Sequence, residues 1–191
     1  MAAHNAITSI VALCVSALIA PAFGQGSLEG LGRHLTKEEL AGWNIDILPD
    51  GTGLPPGQGT VLQGQTVYQA QCLACHGANL EGGLGPALAG GVGSLTSDKP
   101  LKTIGSYWSY STTLFDYIRR AMPFQAPQSL SNEDVYSVTA YLLHKNDILP
   151  ATATLGADNL ASIKMPNRGN FYVDDRPDVK VDRCMTDCLS K

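Results

Sequence analysis

Cys72-Leu73-Ala74-Cys75-His76, followed at once by Gly77, decides how the rest of this chain is read. Cys-x-x-Cys-His is the attachment pattern of a c-type haem. Each sulfur can close a thioether to a haem vinyl group, and the adjacent histidine is then placed to bind the iron from one side. Two other chemistries use close cysteine pairs. A zinc site needs further Cys or His ligands at matching spacing, and the next pair, Cys184 and Cys188, is spaced x3 and lies far downstream. A thioredoxin-like redox pair needs a βαβ context. The histidine directly after the second cysteine favours haem.

Upstream of the motif, Thr60 to Cys72 has helical periodicity, with Val61, Gly64, Tyr68 and Cys72 on one face. Glycine inside a helix is costly unless another backbone approaches closely, so Gly64 predicts a helix crossing. Downstream, Gly82 to Gly93 is too glycine-rich for a helix or a paired strand. Gly85-Pro86 lies about ten residues after His76. A loop there can set a backbone carbonyl against the Nδ1 proton of His76, a bond that fixes the ring and raises its basicity.

Two further helices are expected. Thr113 with Asp116 has the capping-box pattern ahead of Leu114 to Ala121, with Leu114, Tyr117, Ile118 and Ala121 on the inner face. Pro123 ends it, because proline disfavours the helical conformation at the residue before it. Ser131 with Asp134 opens Val135 to His144, whose stripe of Val138, Tyr141 and Leu142 suits the face carrying Gly64 and Tyr68.

Around this centre the chain divides into residues 1–24, 25–58, 59–146 and 147–191. Ile7 to Ala20 is apolar and Ala22-Phe23-Gly24 offers small residues at the cleavage positions, which predicts an export signal removed before Gln25. Cys14 is then discarded with it. No Lys or Arg precedes the apolar run, so an uncleaved anchor is the alternative, although the run is short for a span. No other segment is apolar enough to cross a membrane. Residues 25–58 form an extension with a capping box at Thr36 and Glu39 for a helix Lys37 to Trp43, then a turn at Pro49-Asp50-Gly51. Trp43 and Ile45 are expected to pack on the central domain, a partner-binding arm being the other reading. Residues 147–191 have little periodicity and wrap the domain or reach a partner. Cys184 and Cys188 can close a small disulfide loop in an oxidising compartment or bond a partner chain.

Composition bounds the function. The 191 residues carry 13 Lys+Arg against 17 Asp+Glu, a net charge of -4, which indicates neither nucleic acid nor an anionic membrane as partner. With 20 glycines and 11 prolines the chain suits a loop-rich single domain with extensions better than a long-helix bundle.

The second face of a haem held by His76 needs its own ligand, and the candidates are Met122, Met165, Met185, His34 and His144. Met122 is favoured. It ends a helix, sits in a Met-Pro pair held extended, and follows the motif by enough chain to wrap the ring. Core packing is the other use of any methionine. His/Met ligation raises the reduction potential and fills both axial positions, which argues for electron transfer and against catalysis at the iron. Tyr107, Trp108 and Tyr110 precede the Met-bearing helix and are expected to bond haem propionates or to fill the core around the ring.

Residues 60–144, with Cys72-x-x-Cys75-His76, Gly85-Pro86, Met122-Pro123 and the final aromatic helix, resemble a class I cytochrome c domain. That resemblance implies an all-α fold around one covalent haem c, with irregular N- and C-terminal extensions. It also implies axial ligation by His76 and Met122, the Pro86 carbonyl behind His76, and haem attachment in the periplasm. Further runs resemble the SoxD-type cytochrome subunits of sulfur dehydrogenase: Trp43-Asn44-Ile45-Asp46, Gly105-Ser106-Tyr107-Trp108, Thr113 to Pro123 and Lys164-Met165-Pro166-Asn167-Arg168. SoxD-type chains often carry a second haem domain, whereas this sequence has one Cys-x-x-Cys-His.

The expected function is therefore that of a periplasmic monohaem electron-transfer subunit. Its donor would be a molybdenum-cofactor dehydrogenase subunit of the sulfite oxidase type, and its acceptor a downstream cytochrome c or oxidase. A free-standing cytochrome shuttling electrons to an oxidase is the alternative. A haem peroxidase or ligand sensor is a third, and needs an open axial position.

Overall fold

The computed structural model describes residues 32–175. The export segment, Cys14, Cys184, Met185 and Cys188 lie outside the described residues. Contacts divide the chain into two units, Met1–Asn44 and Ile45–Lys191.

In the first unit, helix α1 (Lys37–Trp43) opens on the capping box expected from the sequence. Thr36 Oγ1 accepts from the Glu39 N–H at 3.2 Å, and the Glu39 carboxylate accepts from the Thr36 N–H at 3.0 Å. Arg33 bonds the same carboxylate, which holds the Glu39 carboxyl down to about 2.

In the second unit the described elements run β1 (Gln58–Thr60), α2 (Val61–Gln71), α3 (Leu73–His76), α4 (Ser111–Ala121), α5 (Asn132–Lys145) and β2 (Thr154–Gly156), with a short 3-10 turn at Ser94–Thr96 and two more, Leu160–Ser162 and Arg168–Asn170, after β2. Helices α2 and α5 cross where Gly64 was expected to allow it. A Cβ on Gly64 would collide with the Ser137 carbonyl and stand 2.8 Å from the Tyr141 Cβ. Only glycine permits backbones that close. Beside the crossing, the rings of Tyr68 and Tyr141 meet at 5.3 Å, and nearer the start of α5 those of Phe115 and Tyr136 meet at 4.4 Å. Val135, Val138, Leu142 and Leu143 complete the buried face of α5.

Helix starts follow the capping logic in two places and depart from it in a third. Thr60 caps α2 through Gln63, and Ser131 accepts from the Asp134 N–H at 3.1 Å to open α5 three residues ahead of Val135. Helix α4, however, begins at Ser111 and not at Leu114, and its N-cap, Tyr110, makes no side-chain cap. Thr113 is thus already helical, and the Asp116 carboxylate turns instead to Arg120 Nε, at 2.8 and 2.9 Å. The start is held by tertiary contact: Ser111 Oγ donates to the Leu160 carbonyl at 2.6 Å.

The aperiodic flanks are built into this body. β1 pairs antiparallel with β2 in the register Gln58–Gly156, Gly59–Leu155 and Thr60–Thr154. Asp46 reaches Arg120 at 2.8 Å, and the Pro55 carbonyl accepts from the Tyr136 hydroxyl at 2.8 Å. Leu155, Leu160 and Met165 are buried in the same core. No helix among the described residues is long and apolar enough to cross a membrane.

Candidate functional site

The haem motif occupies the end of α2 and the single turn of α3. Cys72 breaks the helix between them with φ -120°, and Gly77 ends α3 at φ +81°, a conformation open to glycine at little cost. The Tyr68 hydroxyl donates to the Gly77 carbonyl at 2.6 Å and locks that exit. Cys72, Cys75 and His76 all line one cavity of about 570 Å³. Burial, with the Cys75 thiol adding to it, pushes the Cys72 thiol up to about 11, so at neutral pH it is protonated.

The loop after the motif is folded back onto it. Gly85 N–H donates to the Cys75 carbonyl at 2.8 Å. His76 Nδ1 donates to the Pro86 carbonyl at 2.8 Å, the carbonyl that the class I cytochrome c resemblance implied. Because a carbonyl can only accept, Nδ1 carries the proton and Nε2 keeps its lone pair for a metal. His76 itself is buried.

The facing wall comes from α4 and the segment on either side of it. Trp108, Leu114, Tyr117, Ile118, Met122 and Pro123 line the cavity. The helix ends where Pro123 requires, with Met122 extended at φ -123° and ψ 145°. Helix α5 closes the back with Val138 and Leu142. Of the other candidate ligands, Met165 is buried in the core away from the cavity and His144 holds the Leu149 carbonyl through Nδ1 at 2.9 Å. His34 is exposed in the first unit and Met185 is outside the described residues. Among the described residues, Met122 is thus the methionine that the fold brings to the cavity with His76.

Tyr107 is placed otherwise than Trp108. It is not among the cavity's lining residues; its ring packs edge-on to Phe171 at 5.8 Å with the Lys102 ammonium 4.9 Å from its centroid. Tyr107 closes the turn of residues 104–107, its N–H donating to the Thr103 carbonyl at 3.0 Å, and the chain leaves that turn at Trp108.

Several residues that shape the site carried no sequence signal. Asn146, which ends α5, donates to the Leu142 and Leu88 carbonyls at 2.8 and 3.1 Å and accepts from the Gly105 N–H at 3.1 Å. Thr103 and Ser106 bond each other's backbone N–H and pin the strand of loop that supplies Ile104.

These residues fit a haem c. The cavity wall is overwhelmingly apolar, it carries two cysteines in the attachment pattern, and it presents an imidazole with its tautomer set and a thioether, both iron ligands of cytochromes. Among the described residues no group of three or more Cys, His, Asp or Glu gathers as a metal site.

The comparisons agree. The cytochrome c family model matches residues 61–146. A chain in the crystal structure of the sulfane dehydrogenase SoxCD from Paracoccus pantotrophus is 45% identical, with TM-score 0.74, covering 83% of this chain and 81% of that one. The thiosulfate dehydrogenase of Allochromatium vinosum is 33% identical over 82 residues, 43% of this chain and 30% of that protein. This chain therefore spans less than a third of that relative in the match. With the haem pattern, the helical frame and these relatives in agreement, the chain belongs to the cytochrome c family, whose work is electron transfer through a covalently held haem c.

Proposed function

We propose that this chain is a periplasmic monohaem cytochrome serving as the electron-transfer subunit of a sulfite- or sulfur-oxidising molybdenum enzyme. The observation that carries the electron-transfer reading is that His76 and Met122, on separate elements, line one apolar cavity. When bound, a haem supplies reversible one-electron chemistry at its iron. The chain's own residues do the rest. Cys72 and Cys75 would hold the ring, and His76, oriented by the Pro86 carbonyl, would hold its iron together with Met122. The apolar wall of Leu114, Ile118, Val138 and Leu142 excludes water and favours the less charged state.

The choice of partner is supported by likeness to the sulfane dehydrogenase chain over most of both lengths, including the flanks that a minimal shuttle does not need. The donor would be a molybdenum-cofactor subunit of the sulfite oxidase type, and the acceptor a further cytochrome c or an oxidase. Export to the periplasm is supported by the apolar run ahead of Gln25.

Co-expression with a molybdenum-cofactor dehydrogenase subunit of the sulfite oxidase type tests the reading. The two are expected to elute as one complex with one haem per cytochrome chain, and sulfite or a sulfane-sulfur donor should reduce the haem only when both are present. A cytochrome that elutes alone and is reduced by unrelated donors just as fast would be the free-standing shuttle instead.

A further inference from the structure

The run Lys164-Met165-Pro166-Asn167-Arg168 has no place in the cavity, yet Met165 and Asn167 are only 3% and 6% exposed. A buried carboxamide needs polar partners, since leaving its groups unpaired costs their desolvation. Asn167 has two. Its Nδ2 donates to the Tyr107 carbonyl at 2.8 Å, across sixty residues of chain. Its Oδ1 accepts from Asn170 Nδ2 at 2.8 Å, which turns the amide so that the NH2 faces Tyr107.

The same two segments meet again nearby. Arg168 lies 4.8 Å over the Tyr110 ring, and Ser111 Oγ bonds the Leu160 carbonyl. Asn167 differs from these contacts in gripping the backbone of the residue next to Trp108. Trp108 lines the cavity, and its ring meets Tyr117 edge-on at 5.7 Å. Tyr117 stands on α4, the helix that ends in Met122.

We infer that Asn167 is a positioning residue for the methionine side of the cavity, holding Trp108 through the Tyr107 carbonyl against the helix that delivers Met122. The inference rests on the reading of Met122 as ligand for its iron readout, and on Trp108 alone for its other readout. Asn167→Asp keeps the shape and replaces the donor with an oxygen facing a carbonyl oxygen. It is made in the full-length holoprotein carrying Trp43→Phe, which leaves Trp108 as the sole tryptophan.

The expected result is a rise of roughly twofold in Trp108 emission and loss of about half the ferric iron–methionine absorption band, as ring and ligand leave a single arrangement. The reduction midpoint falls with it, while haem content and far-ultraviolet helix signal stay unchanged. Leu155→Ala, a core truncation that does not line the cavity, is the control for stability alone and should unfold earlier with emission, band and midpoint as in the parent. Parental emission and band in folded Asn167→Asp overturn the inference, as does an equal change in Leu155→Ala. If Asn167→Asp does not accumulate as holoprotein, Asn170→Ala removes only the bond that orients the amide. A smaller change in the same direction then supports the inference, and no change overturns it. A band that survives Met122→Ala overturns the ligand reading instead, and Trp108 emission then decides the role of Asn167.

Discussion

Gly85 sits close against the ring of His76: a Cβ added there would stand 2.8 Å from Cε1 and 3.0 Å from Nδ1. The glycine brings its backbone against the imidazole so that the next residue, Pro86, can offer its carbonyl to Nδ1. The loop is in turn tied to the motif through Gly85 N–H and the Cys75 carbonyl. Attachment pattern and orienting loop are thus one unit.

Gly85→Ala is expected to push the ring or the loop by a few tenths of an ångström and to stretch the bond to Pro86. Overpacking of this kind costs about 1–3 kcal/mol. The reduction midpoint should shift as His76 loses basicity, with haem still attached, because Cys72 and Cys75 are untouched. A titrated midpoint equal to the parent's would show that the ring tolerates the added methyl.

Met122 and Met165 separate ligand from core. Met122→Ala is expected to abolish the weak long-wavelength band of the ferric iron–methionine bond and to lower the midpoint. Met165→Ala should keep the band and lose about 2–5 kcal/mol of stability in denaturant unfolding, since it empties a buried site. The reverse pattern would exchange the two roles.

Gly64→Ala drives a methyl into the Ser137 carbonyl, which belongs to helix backbone and cannot swing aside. Helices α2 and α5 must then separate, at a cost of about 1–3 kcal/mol or more. Urea unfolding of the ferric protein should show a lower midpoint with little change in slope. An unchanged midpoint would mean that the crossing is looser than the contact implies.

Alkaline pH should weaken the fold in a defined window. Burial pushes the phenols of Tyr68 and Tyr136 up to about 12, against about 10 for an exposed tyrosine. A group whose folded pKa is raised contributes stability that is fully present below its unfolded pKa. That stability is lost as pH rises from there through the folded pKa, because the unfolded chain gives up the proton first. Stability is therefore expected to fall between about pH 10 and 12, and less steeply in Tyr136→Phe. Thermal unfolding across that range in parent and variant measures it; parallel curves would remove Tyr136 from the account.

Much of this was legible before any coordinates. Thr36 and Ser131 announce their helices because a cap acts over three residues, and Gly64 announces a crossing because a helix tolerates glycine poorly without a reason. The spacing past His76 pointed to a loop carbonyl beside its ring, and the resemblance to class I cytochrome c implied that the carbonyl is that of Pro86, which lies 2.8 Å from Nδ1. Thr113 and Asp116 show the limit of that logic. Their spacing matches a cap, but Ser111 had a better anchor in Leu160, 49 residues away, and Asp116 had Arg120.

By itself, then, the sequence determined what depends on neighbours along the chain: the attachment pattern from Cys72 to His76, the extended Met122 before its proline, and the helices opened by Thr36 and Ser131. Tertiary structure alone decided which of Met122 and Met165 meets the cavity, that Trp108 faces inward while Tyr107 does not, and that β1 pairs with β2. Those outcomes depend on contacts between residues tens of positions apart, such as Asn167 with Tyr107. Their pairing follows from how the whole chain closes over its core, and no local pattern of residues records it.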